Sequence, residues 1–250
     1  MVMPLYDDNP FKLKQTPVMT WSLIGMNIFV FFLEFGSDSP SRFVSHFAVV
    51  PAAVFGETTV PAALSPMLTL ISYMFLHADI VHIIGNLIFL WVFGDNVEQA
   101  LGRWRFLAFY LIVGALAGLA YAVSTPHSKV PLIGASGAIA GVVIAYAMLR
   151  PCAKITALVF GIPMRISAYW IIGVFVFIQF INLGATSSSD VAWWCHIGGM
   201  AAGGALFPFM RLPGVQLFEC IRPGQAPAEP VQAMPETSRL PGAPPGPWQR

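Results

Sequence analysis

Apolar residues run along this chain in long blocks rather than in stripes. Six blocks stand out, at 18–35, 75–93, 106–123, 136–149, 168–183 and 191–210. A helix crossing the hydrocarbon takes about 20 mostly apolar residues. The blocks therefore predict an all-α polytopic membrane protein, a bundle of six transmembrane helices. The connection 36–74 is too polar to cross and too apolar to float free. Within it, "FAVVPAAVF" predicts short segments lying in the membrane interface, and "ITALVFGIPM" at 155–164 predicts the same on the opposite side. After about Leu212 the pattern dissolves into Pro, Gly and Ala, as in "RPGQAPAEP" and "PGAPPGPW". Such a composition builds no core. The expected organisation is a cytoplasmic N-terminal segment at 1–14, a six-span core at 15–212, and a disordered cytoplasmic tail at 213–250.

Composition sharpens the class. Of the 250 residues 56% are hydrophobic and 10% charged, against about 25% charged in soluble domains. The formal net charge of +1 gives nucleic acid no purchase, so the partners expected are the lipid bilayer and other membrane proteins. Charge also sets orientation. In a six-span arrangement Lys12, Lys14, Arg103, Arg105, Arg150, Lys154, Arg165, Arg211, Arg222, Arg239 and Arg250 fall on one side, and only Arg42 and Lys129 on the other. Basic residues stay inside, which predicts both termini in the cytoplasm of a prokaryotic plasma (inner) membrane. Cys152, Cys195 and Cys220 fit no zinc or redox spacing and read as isolated small apolar residues.

Polar side chains at membrane depth are costly and are functional candidates by default. The second block holds "FLHADIVHIIGNLIFLW", with His82 and Asn86 four apart on one helix face and His77 nearer the aqueous edge. The fourth opens on "GASG", with Ser136 at the helix start, and the sixth holds "CHIGGMAAGG", with His196 near its start. In a six-span topology these three helices run from outside to inside. At a rise of about 1.5 Å per residue, all three motifs lie within roughly 10 Å of the outer ends. The fourth helix is short, about 21 Å against a core of about 30 Å. Its amino end then lies below the surface, and "KVPLIG" dips inward to meet it.

Taken singly, each feature has a plain structural reading. "GASG" on its own is more often packing, a buried histidine is usually a satisfied core residue, and Asn86 alone is interhelical glue. Gly199 and Gly203 form one GxxxG face, and Gly137 and Gly141 another. If these two faces meet, packing itself brings Ser136 and His196 within hydrogen-bond reach.

Together, "GASG", "HADIVHIIGN" and "HIGGMAAG" resemble the rhomboid family of intramembrane serine proteases, and "VEQALG" at 97–102 resembles a further segment of that family. The resemblance covers roughly 15–212. It implies that Ser136 is the nucleophile, that His196 is its general base, and that His82 and Asn86 help form the oxyanion hole; the Ser136 backbone N–H, at a helix amino end where the dipole favours an anion, is expected to join them. The long first loop lacks the Trp-Arg pair that some members carry. Ala140 stands where some carry an aromatic residue that packs on the base. The activity implied is endoproteolysis of membrane proteins near the outer face, with no metal or cofactor. Asp190 precedes His196 by six residues, about 240° around a helix, which favours a Ser–His dyad over a triad. The aromatic fifth helix and the "GATSSSD" segment after it are expected to form gate and lid. The alternative readings are a catalytically inactive rhomboid-like membrane-protein binder, a metallohydrolase using His77, His82 and His196, and a transporter. No HExxH helix supports the metal reading, and no repeated halves support the transporter.

Overall fold

The computed structural model describes residues 2–7, 16–59, 63–184 and 193–220. Helices occupy every one of the six apolar blocks: α1 (Val18–Phe35), α5 (Ile80–Leu101), α6 (Arg103–Ser124), α7 (Ser136–Leu149), α8 (Ala168–Gly184) and α9 (Trp193–Met210). Of these, α1, α5 and α6 are long and apolar enough to cross a membrane. Large apolar side chains cover the outer surface, including Phe32, Phe35, Trp104, Phe177 and Phe209. A surface of that kind is at home in lipid rather than water.

Between α1 and α5 run the short helices α2 (Pro40–Phe47), α3 (Pro51–Val54) and α4 (Pro66–Ser72), the last continued by a 3₁₀ turn over Tyr73–Phe75. Each of the three begins on a proline. There the missing N–H costs no hydrogen bond and the fixed φ suits the first turn. The second apolar block starts later than its hydropathy predicts. Asp79 caps α5 by accepting from the His82 backbone N–H at 2.8 Å, which leaves 76–79 outside the helix. At the far end of α5, Glu98 is buried. Its carboxylate accepts from Met19 N–H (3.0 Å), Thr20 N–H (2.7 Å) and Thr20 Oγ (2.8 Å). An anion thus caps the positive end of the α1 dipole. "VEQALG" is the joint between the first and second apolar helices.

Three expectations are corrected. The chain is not all-α: β1 (Val2–Asp7), β2 (Lys154–Val159) and β3 (Ile162–Ser167) form an antiparallel sheet in that order. Residues 155–164 were expected as an interfacial segment, but Gly161 and Pro163 deny them a helix. Phe160 and Gly161 both take positive φ (51° and 86°), the twist of a two-residue hairpin turn. β1 then adds to the hairpin. It is anchored by Asp7, whose Oδ2 accepts from Asn96 Nδ2 (3.0 Å) and Tyr146 Oη (2.9 Å). Second, Cys152 and Cys220 are joined in a disulfide, and only Cys195 is free and buried. Third, the chain after Leu212 does not leave the core at once. Val215 and Leu217 pack against it, Phe218 N–H donates to Met148 O at 2.6 Å, and Arg150 pairs with Glu219. The rest of the tail, 221–250, lies outside the described residues, as do Asp190 and all but the first residue of "GATSSSD".

Candidate active site

The site is built where α7 starts. Upstream, Leu132 and Val49 exchange backbone hydrogen bonds (2.8 and 3.2 Å), Ala52 N–H donates to Ser128 O (3.0 Å), and Gly134 N–H donates to Tyr73 O (2.9 Å). The loop entering α7 is therefore pinned by the first loop. Gly134 has φ +114°, and a Cβ there would stand 2.8 Å from His82 Nε2 and 3.8 Å from Asn86 Nδ2. Only glycine meets both demands. The same closeness brings the His82 and Asn86 side chains, one turn apart on α5, against the backbone that leads into Ser136. Asn86 is buried, and its Nδ2 finds no acceptor among the described residues.

α7 and α9 meet along the two predicted glycine faces. A Cβ on Gly199 would lie 2.0 Å from Gly137 O, one on Gly203 2.4 Å from Gly141 Cα, and one on Gly141 2.8 Å from Gly199 O. On Gly137 it would stand 2.5 Å from Cys195 Sγ. This backbone-to-backbone approach sets His196 beside Ser136, with His196 Nε2 2.8 Å from Ser136 Oγ. Tyr73 supports the seam from the side, donating to Gly114 O at 2.8 Å, with its hydroxyl 3.6 Å from Cys195 Sγ.

Two placements add to the sequence reading. His77 is buried. Its ring lies 5.1 Å from that of His82, and neither ring nitrogen finds a partner among the described residues. Gln179 of α8 is absent from the sequence motifs, yet its Oε1 is 2.8 Å from His196 Nδ1. The signal was present: one amide inside "VFVFIQFI" is a polar group at membrane depth. It has no partner at a telling spacing in the chain, so only the fold connects it to His196. Among the described residues no three His, Cys, Asp or Glu side chains converge as metal ligands.

These features define a helical membrane protein with a half-buried, hydrogen-bonded serine and histidine at a glycine-lined helix seam. The Rhomboid domain model matches residues 65–213, and the chain belongs to the rhomboid family. It is 29% identical over 160 residues to RHOMBOID-like protein 12, mitochondrial, of Arabidopsis thaliana, covering 57% of this chain and 46% of that one. Against Rhomboid protein 1, mitochondrial, of Saccharomyces cerevisiae the figures are 27% over 173 residues, 64% and 47%. Against Rhomboid protease GluP of Bacillus subtilis they are 32% over 128 residues, 50% and 23%. The matches thus span less than half of each relative's length. Two of the three are mitochondrial by name, which weighs against the expected prokaryotic plasma membrane.

Proposed function

We propose that this protein is an intramembrane serine endopeptidase that cleaves transmembrane segments of other membrane proteins. The observation that carries the reading is the 2.8 Å contact between Ser136 Oγ and His196 Nε2. A serine hydroxyl is a weak nucleophile until a base takes its proton. In the proposed reaction Ser136 Oγ attacks the scissile carbonyl carbon as its proton passes to His196 Nε2. The carbonyl oxygen becomes an oxyanion beside the first turn of α7, where backbone N–H groups lack intrahelical acceptors and the dipole favours negative charge. The Asn86 amide and a His82 nitrogen add donors there. His196 then returns the proton to the leaving amine, and water releases the acyl group by the same steps. No metal or cofactor enters these steps.

The topology that goes with this reading has six spans, α1 and α5 to α9, with both termini on the cytoplasmic side and Ser136 near the opposite face. The basic residues support it. The Cys152–Cys220 disulfide lies at the basic end, and in a reducing compartment the pair would stand as two neighbouring thiols. The Arg150–Glu219 pair and the Phe218–Met148 hydrogen bond hold that segment independently of the disulfide. Substrates with Gly, Ser or Pro near the outer end of their span are favoured, because these residues weaken the helix that must unwind.

The test is cleavage of a single-span substrate by purified protein in liposomes, with Ser136→Ala alongside. Cleavage is expected to vanish in the variant while folding is retained. Undiminished turnover by Ser136→Ala would sink the mechanism. A wild type that binds such substrates yet cuts none of a broad panel would establish the inactive-binder reading instead.

A further inference from the structure

His196 touches two side chains through its two ring nitrogens, and they belong to two different helices. Nε2 meets Ser136 Oγ on α7, and Nδ1 meets Gln179 Oε1 on α8, each at 2.8 Å. An amide oxygen can only accept, so this contact is a hydrogen bond when the ring hydrogen is on Nδ1 and is donated to Gln179. Nε2 is then left with its lone pair toward the Ser136 hydroxyl, which donates to it. A neutral imidazole carries one ring hydrogen, and the partner of one nitrogen decides the state of the other.

The surroundings of Gln179 agree. It is 3% exposed. Beyond Ile172 it is the one buried side chain on α8 among those described, while Val174, Phe177, Ile178, Phe180 and Ile181 point outward. A long polar side chain buried in an apolar bundle is costly unless its polar atoms are bonded. An apolar residue there would serve packing equally well, so the amide needs another explanation, and the Nδ1 contact supplies it.

We propose that Gln179 is a positioning residue for the hydrolysis described above: its carbonyl oxygen holds His196 in the tautomer and orientation that present Nε2 to Ser136. The proposal rests on Ser136 and His196 being the reacting pair. It makes the alignment of the base depend on α8, a helix that carries neither member of that pair.

Two variants and two readouts test it on the full chain in liposomes. Gln179→Met keeps the length and the apolar stem but removes the acceptor. It is expected to lower kcat roughly 10- to 100-fold, the range for leaving a buried donor unpaired. KM should stay within about twofold, because the bond serves the reacting group rather than substrate binding. Labelling of Ser136 by a fluorophosphonate should slow in parallel. Gln179→Glu retains a carboxyl oxygen at the same reach, whether ionised or not, and is expected to recover most of the lost rate. The second readout is independent of turnover. In 15N-histidine-labelled protein, with His196→Ala used to assign the signal, wild type should show His196 protonated at Nδ1, and Gln179→Met a mixture of tautomers. Wild-type kcat and labelling in Gln179→Met, equal losses in both variants, or a wild-type ring protonated at Nε2 would each overturn the proposal. If wild type neither cleaves nor is labelled at Ser136, the protease reading itself fails. If it does both and Gln179 is indifferent, only this inference falls.

Discussion

α9 and α8 both border the serine helix, but they are held in opposite ways. α9 lies against α7 backbone to backbone, and a single methyl on Gly199 would meet Gly137 O at 2.0 Å. α8 offers no such contact. A Cβ on its Gly173 would meet nothing within 4 Å, and beyond that point it is held by side chains: Gln179 to His196, and Phe175 against Phe89 at 6.0 Å between centroids. Backbone packing fixes two helices to a fraction of an ångström, because nothing flexible stands between them. Side-chain contacts give way by rotamer changes. The proposed reacting pair on α7 and α9 therefore sits at the tightly packed seam, while α8, held by side chains, costs less to displace than α9.

The largest expected effect comes from breaking the seam. Gly199→Ala puts a methyl into the Gly137 carbonyl, and neither partner is a flexible side chain. The helices must separate. Overpacking of this kind costs about 1–3 kcal/mol, and it moves His196 away from Ser136 at the same time. Gly199→Ala is expected to lose all measurable cleavage and to unfold at lower temperature, read by proteolysis or by thermal unfolding in detergent. Wild-type stability and labelling in this variant would show that the glycines are not what holds the seam.

Asn86→Ala sharpens the comparison on the rigid side. Asn86 faces the start of α7 from α5, and its Nδ2 has no acceptor among the described residues. A donor waiting for the oxyanion matters mainly once charge has developed. Loss of one such donor typically costs about 10²–10³ in kcat. Asn86→Ala is expected to fall in that range with KM and stability near wild type. A collapse of stability would make Asn86 interhelical glue, and a raised KM with kcat intact would make it a substrate-binding group.

The rigid half of this comparison was legible in the sequence, and the loose half was not. Gly137, Gly141, Gly199 and Gly203 announce a close helix contact by their spacing alone, and Ser136 and His196 sit beside them on the same helices. Gln179 gives no such cue, because its partner is on another helix and no periodicity relates the two. The sheet was hidden for a similar reason. β1 is separated from β2 by well over a hundred residues, and pairing at that distance leaves no local pattern. The Cys152–Cys220 bond closes 68 residues, and Cys220 stands at the start of a Pro-rich stretch whose composition speaks only of disorder. The start of α5 was misplaced because hydropathy sees Phe75 and Leu76 as helix, whereas Asp79 as a cap decides the boundary.

The smallest effect is expected on α8, from the same chemical change made at Gly173. Gly173→Ala adds one methyl, as Gly199→Ala does, but here the methyl meets no other atom within 4 Å. In a helix interior alanine is favoured over glycine by about 0.8–1.0 kcal/mol. The variant should therefore unfold at the wild-type temperature or slightly above it, with kcat and KM within about twofold of wild type. Because the two substitutions are identical in chemistry, the gap between their unfolding temperatures isolates packing from helix propensity. A Gly173→Ala protein that folds normally but cleaves poorly would change the picture of α8. Glycine's backbone freedom would then be in use during turnover, with α8 bending at Gly173, and the contrast would lie between a fixed seam and a hinge rather than between a fixed seam and a loosely held rod.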